Sequence, residues 1–292
     1  MIQYQGSVYR PPSEADSLIL QATLGCSWNR CTFCGMYRDK KFRVRKLEEL
    51  KKEIAWYDSQ FGSPRKVFLA DGDALMAKAS FLEDLLGELK QTWPDLRRVS
   101  CYASPQSLDV RTVEEMARLQ ELGLVQYYLG VESGDDQVLE DLDKGVDGEE
   151  MARVANKAHD AGVRLSTMIL LGAGGRARSR EHALASAKVV NAIQPRFVST
   201  LVMTPVENTP LFDADERGEV EHLSPIELAA ELRTFLDALD LRATVFRSNH
   251  ASNYLALAGT LPKDQAALVA GLDEILAHPE NAPFRPDWLR AL

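Results

Sequence analysis

Three of the four cysteines of this 292-residue chain fall within nine residues, in the stretch Gly25-Cys26-Ser27-Trp28-Asn29-Arg30-Cys31-Thr32-Phe33-Cys34-Gly35. Soft thiolates this close together on a glycine-flanked loop suit iron–sulfur or zinc binding. A disulfide framework fits poorly, because three cysteines leave one over. A four-thiolate zinc site lacks its second cysteine pair, since Cys101 lies far away in the chain. Three ligands from one loop could instead hold a [4Fe–4S] cluster and leave one iron open to a small molecule. The bland alternative is a chance group of buried thiols.

The elements that would position this loop alternate between strand and helix patterns. An apolar run over 17–24 reads as a strand leading into the cysteines, and a helix is expected over 46–58. Strands then follow at 66–70, 98–103, 125–131, 163–171 and 197–203. Helices are expected between them at 79–91, 110–122, 149–161 and 179–191. Alternation of this kind means parallel strands joined by right-handed crossovers. The expected fold is α/β, a partial (β/α)6 TIM-like barrel over residues 1–212, with ligands at the strand C-terminal ends. Those ends carry Asp71-Gly72-Asp73, Glu132-Ser133-Gly134 and Gly172-Ala173-Gly174-Gly175. Cys101 sits inside a strand and reads as core. From 213 to 292 a small C-terminal α+β extension packed on the barrel is expected. It has a Ser224 cap with Pro225 opening a helix to about 239, a strand at 243–247 and a helix at 263–277. The basic run Arg38, Lys40, Lys41, Arg43, Arg45 and Lys46 reads as a solvated helix start or as an anion contact.

Taken in order, these motifs resemble the radical S-adenosylmethionine (radical SAM) enzymes. The resemblance is to the branch containing oxygen-independent coproporphyrinogen oxidases, methylthiotransferases and B12-associated members. It rests on the Cys-x4-Cys-x2-Cys loop with Phe33 before its last cysteine, and on Gly130-Val131-Glu132-Ser133-Gly134 followed by Lys144-Gly145. Asp71-Gly72-Asp73 stands where the family carries a Gly-Gly-Glu-like motif, and Thr209-Pro210-Leu211 resembles the sixth-strand exit. The family loop has three residues in its first gap; this one has four. The resemblance covers roughly residues 16–212. It implies that Cys26, Cys31 and Cys34 bind a [4Fe–4S] cluster, with Phe33 beside it. It further implies that Asp71, Gly72 and Asp73 hold the amino group of S-adenosylmethionine, Glu132 contacts the cofactor and Lys144 binds its carboxylate. Met168 and Leu171 would flank the adenine.

The chemistry implied is reductive cleavage of S-adenosylmethionine to a 5′-deoxyadenosyl radical, which takes hydrogen from a small organic substrate. An electron donor such as flavodoxin or ferredoxin would supply the cluster. In the extension, His250 is either a substrate contact or proton donor, or a residue tying a polar turn. The competing readings are a haem- or cluster-binding protein of the same fold without turnover, and a structural zinc module.

Composition bounds the rest. With 45% hydrophobic and 26% charged residues the chain is an ordinary globular one. Its net charge of −9 speaks against a broad nucleic-acid footprint, although a local basic patch could dock a transfer RNA. The N-terminus shows no basic stretch followed by an apolar run, so a signal peptide is not expected. No apolar stretch approaches the roughly 20 residues that span a bilayer. Few, clustered cysteines fit a reducing cytoplasm. No second cysteine cluster suggests an auxiliary iron–sulfur centre.

Overall fold

The structure is a computed structural model and describes residues 1–290. The chain divides into two compact units. The first comprises Met1–Asn29, Met36–Leu129 and Val154–Leu165; the second comprises Arg30–Gly35, Gly130–Arg153 and the chain from Ser166 onward. The alternation read from the sequence is observed. The main strands follow the order β1-β4-β5-β6-β7-β8-β9-β10, an α/β sheet that is mostly parallel.

In the first unit β1 (Leu18–Gln21), β4 (Lys66–Ala70), β5 (Arg98–Ala103) and the start of β6 (Leu124–Glu132) are parallel neighbours. Val67 to Ala70 are all buried, as strands covered on both faces require. The strand expected over 17–24 is broken at Ala22. Beyond it β2 (Thr23–Leu24) turns away and pairs antiparallel with β3 (Arg43–Val44). This short ladder gathers the chain on either side of the cysteine loop. The helices are α1 (Leu47–Phe61), α2 (Ala79–Thr92), α3 (Pro105–Val110) and α4 (Val113–Glu121). Leu82, Leu85, Leu86 and Leu89 place one buried stripe along α2. Capping boxes fix the starts of α3 (Ser104 with Ser107) and α4 (Thr112 with Glu115).

Two members of the basic run turn their side chains inward rather than into solvent. Arg45 pairs with both carboxylate oxygens of Glu53, at 2.9 and 3.0 Å. Lys40 pairs with Asp71 at 2.9 Å.

In the second unit β7 (Arg164–Leu171), β8 (Phe197–Val202) and β9 (Thr244–Ser248) are parallel neighbours, and β10 (Leu257–Leu261) is antiparallel to β9. β9, the strand expected at 243–247, thus continues the main sheet. β10 was not expected: Gly259 and its exposed neighbours give it no strand pattern. The helices are α5 (Asp136–Asp141), α6 (Gly148–Asp160, shared between the units), α7 (Gly175–Ile193), α8 (Pro210–Glu216), α9 (Pro225–Asp237) and α10 (Gln265–Ala277). α7 starts at the glycine turn itself, four residues before the expected position. Ser224 caps α9 with Pro225 at its first position, as its sequence predicts. Among the described residues no helix is long and apolar enough to cross a membrane.

Candidate cofactor site

In the first unit the exits of β1 and β4 meet at Asp71-Gly72-Asp73. The two acids have different partners. The Asp71 carboxylate accepts hydrogen bonds from Gln21 Nε2, the backbone N–H of Gly25 (3.1 Å) and Lys40 Nζ (2.9 Å), and its side chain is fully buried. Asp73 Oδ2 accepts from Ser27 Oγ and Ser104 Oγ at 2.5 and 2.7 Å. Its other oxygen, Oδ1, is buried and has no hydrogen-bond partner among the described residues. Burial pushes the Asp73 carboxyl up, and the surrounding hydroxyls of Ser27, Ser104 and Ser107 pull it back. A buried carboxylate oxygen with no donor is costly, and a cation delivered beside it would remove that cost.

Gly72, between the two acids, has no room for a side chain. A Cβ there would lie 2.6 Å from the Tyr37 ring and 2.9 Å from Cys26 Cβ. The loop's widened first gap is taken up at Asn29, which adopts the left-handed conformation (φ 47°) and donates from Nδ2 to the Tyr37 carbonyl at 2.9 Å.

The second unit holds Cys31, Phe33 and Cys34 on a segment pinned through Thr32. Its N–H donates to Leu142 O and its carbonyl accepts from the N–H of Leu211, both at 3.0 Å. Lys144 Nζ donates to Glu132 Oε1 at 3.1 Å, with both side chains about nine-tenths buried. Glu132 sits at φ +64°, a left-handed backbone that folds its carboxylate back across Gly130. A Cβ at Gly130 would come 1.9 Å from Glu132 Oε1 and 3.1 Å from Lys144 Nζ. Burial pushes the Cys31 thiol up, with Lys144 opposing the rise and Glu132 and Cys34 adding to it. The Glu132–Lys144 pair is thus within electrostatic reach of a loop cysteine.

At the β7 exit Leu171 is buried and Met168 half-buried. The Gly172 N–H donates to Glu231 Oε1 of α9 at 2.7 Å, and Ser179 Oγ donates to Glu231 Oε2. His182, fully buried on α7, shares a hydrogen bond with Ser133 through Nδ1 (2.8 Å) and donates from Nε2 to the Leu170 carbonyl (3.0 Å). Burial pushes Glu231 up to about 7 and His182 down to about 4. His250 lies elsewhere, where its Nδ1 accepts from the Ser252 N–H at 3.1 Å and so ties the polar turn.

A sequence model of the radical SAM superfamily matches residues 20–187. The chain belongs to the radical SAM superfamily. Enzymes of this superfamily carry a [4Fe–4S] cluster and S-adenosylmethionine, and these are the cofactors of the chain. An uncharacterised protein of Methanocaldococcus jannaschii is 22% identical over 275 residues, covering 91% of this chain and 77% of that protein. Among solved structures, methylornithine synthase matches with a TM-score of 0.55 at 16% identity, over 92% of this chain and 74% of its own. Coproporphyrinogen III oxidase of Escherichia coli matches with a TM-score of 0.58 at 18% identity, over 76% of this chain and 52% of its own. At such identities the likeness establishes the fold.

Three cysteines on one short loop are a donor set of the kind an iron–sulfur cluster takes, although among the described residues no three His, Cys, Asp or Glu side chains stand grouped as for a metal ion; Asp73 separately offers a buried carboxylate oxygen. Among the described residues no disulfide removes a thiol from that set. Sequence reasoning missed Ser27 and Ser104, the donors that aim Asp73. It also did not single out Lys40, which pairs with the Asp71 carboxylate at the β4 exit, or Glu231, which accepts from the Gly172 N–H at the β7 exit. Ser104 had a signal in the following Pro105, the mark of a helix cap; Lys40 was hidden inside a run of like charges.

Proposed function

We propose that this radical SAM enzyme abstracts hydrogen from a small organic molecule, with an external one-electron donor of flavodoxin or ferredoxin type, in the cytoplasm. Cys26, Cys31 and Cys34 are the cluster ligands in this reading, on the strength of their spacing in one continuous loop. When bound and reduced, the cluster supplies the electron that splits S-adenosylmethionine and generates the 5′-deoxyadenosyl radical. The chain's own residues bind and orient. Asp73 accepts the ammonium of the methionyl group on Oδ1 while Ser27 and Ser104 hold Oδ2 in place. Lys144 meets the carboxylate, and Glu132 keeps the ammonium of Lys144 aimed until it does. Gly72 and Gly130 keep those positions clear. Met168 and Leu171 lie along the strand whose exit would face the adenine.

The observation that carries this reading is Asp73 Oδ1, buried and lacking a donor beside the first loop cysteine's strand exit. The test is S-adenosylmethionine binding to anaerobically reconstituted wild type, Asp73→Asn and Lys144→Met. A hydrogen bond to a charged group contributes about 1.5–3 kcal/mol, so each variant should bind about 10- to 100-fold more weakly while keeping its iron. Unchanged affinity in Asp73→Asn would sink the assignment. A chain that takes up zinc, stays colourless and holds no iron and sulfide would favour the zinc module instead.

A further inference from the structure

We infer that Lys40 is a positioning residue for the cluster loop: its ammonium, locked against Asp71, fixes where Cys26 stands. This rests on the proposed cluster role of Cys26. Asp71 and Asp73 share one short motif, yet Asp73 has a partnerless oxygen and Asp71 has three donors. Those donors come from three points of the chain: the end of β1 (Gln21), the residue before Cys26 (Gly25) and the far end of the loop (Lys40). Two backbone hydrogen bonds complete the junction, Gly72 N–H to Gly25 O at 3.1 Å and Lys40 N–H to Tyr37 O at 3.0 Å. Lys40 Nζ also donates to the Ser7 carbonyl, and its own carbonyl lies against Gly25, where a Cβ would sit 3.2 Å away.

Residues 25–42 form no strand or helix, so tertiary contacts set the course of the loop, the Lys40–Asp71 pair together with those of Ser27, Asn29 and Thr32. The Gly25 N–H bonds to the same carboxylate, so this ion pair, with 8% and 0% side-chain exposure, ties Gly25 to the β4 exit. Removing the ammonium leaves the Asp71 carboxylate buried without its counter-charge, and the junction must open to hydrate it. The basic run therefore contributes one internal anchor to the loop.

The test uses the full chain as wild type, Lys40→Met and, as a control, Lys51→Met, which breaks only the surface pair with Glu88. Iodoacetamide labelling of each cysteine is followed by mass spectrometry before cluster loading. Loss of iron to a chelator is followed after it. Lys40→Met should label Cys26 and lose iron each about tenfold faster, equivalent to about 1.4 kcal/mol of local stability. Cys101, fully buried in β5, should stay protected in all three chains. Equal Cys26 labelling and iron loss in wild type and Lys40→Met, with Cys101 protected, overturns the inference. If Lys40→Met exposes Cys101 as well, hydrogen exchange in the wild type decides. A Gly25 amide protected by Asp71 supports the anchor, and one exchanging as fast as an open loop overturns it. Faster Cys26 labelling in Lys40→Met, with no iron taken up by any chain, keeps the anchor and contradicts the cluster reading instead.

Discussion

Glu231→Gln should stabilise the protein, and by more at high pH than at low. Glu231 is buried, and its carboxylate accepts hydrogen bonds from the Gly172 N–H and the Ser179 hydroxyl. Its carboxyl is raised from 4.5 to about 7, chiefly by burial. The unfolded chain therefore binds fewer protons than the native one between those values, and stability is lost as pH rises through this window. The cost is about 1 kcal/mol at about pH 5 and about 3 kcal/mol at about pH 8. Glutamine keeps the acceptor for Gly172 and removes the charge. His182 runs the other way. Held neutral by burial, with its pKa lowered to about 4, it contributes stability that is present above 6.5 and lost as pH falls towards 4. In the wild type the two slopes oppose each other between about 4.5 and 6.5; in Glu231→Gln the histidine slope stands alone. Urea unfolding of both chains at the two pH values measures the difference. The variant should gain about 2 kcal/mol more at about pH 8 than at about pH 5. A variant less stable than wild type, with the larger deficit at high pH, would refute the reasoning. That result would mean that its hydrogen bonds hold Glu231 as a carboxylate in the native protein, with its carboxyl below rather than above the ordinary value.

The glycines give contrasting expectations. Gly134→Ala should cost about 1–3 kcal/mol or more in the same unfolding assay, because its Cβ would lie 2.2 Å from the Ala185 carbonyl oxygen, which belongs to helix backbone and cannot swing aside. Gly87→Ala, inside α2 with nothing within 4 Å of the new Cβ, should gain about 0.5–1 kcal/mol. Gly130→Ala should fold, since the atom it meets is the mobile end of Glu132, but it pushes that carboxylate off Lys144. Calorimetry should show weaker S-adenosylmethionine binding with nearly unchanged melting; equal affinity would mean that the pair has no part in orienting the cofactor.

The alternation of strands and helices was legible because buried parallel strands read as short apolar runs, Lys66–Ala70 and Arg164–Leu171 being clear cases. The cap of α9 was legible because Ser-Pro is a local signal. The break at Ala22 was not, because β2 leaves the main sheet to pair with Arg43 and Val44, and that partner lies across the loop. β10 escaped for a related reason: its glycine and exposed positions carry no apolar pattern, and only the register against β9 makes it a strand. The twelve-residue spacing of Glu132 and Lys144 was visible, but that they bond to each other depends on a left-handed turn at Glu132. Lys40 and Arg45 looked like their solvated neighbours until the fold supplied Asp71 and Glu53. Glu231 reaches Gly172 from 59 residues away. Contacts of that range are set by how helices pack, which local patterns do not encode.

The role proposed for the three loop thiols is to hold one cluster that activates S-adenosylmethionine. It is tested most directly by chromatographic detection of 5′-deoxyadenosine after anaerobic reconstitution with iron and sulfide, dithionite reduction and addition of S-adenosylmethionine. Product is expected from the wild type and none from Cys31→Ala. A wild-type chain that holds a cluster but yields no 5′-deoxyadenosine, or a Cys31→Ala chain that yields as much as the wild type, would contradict it.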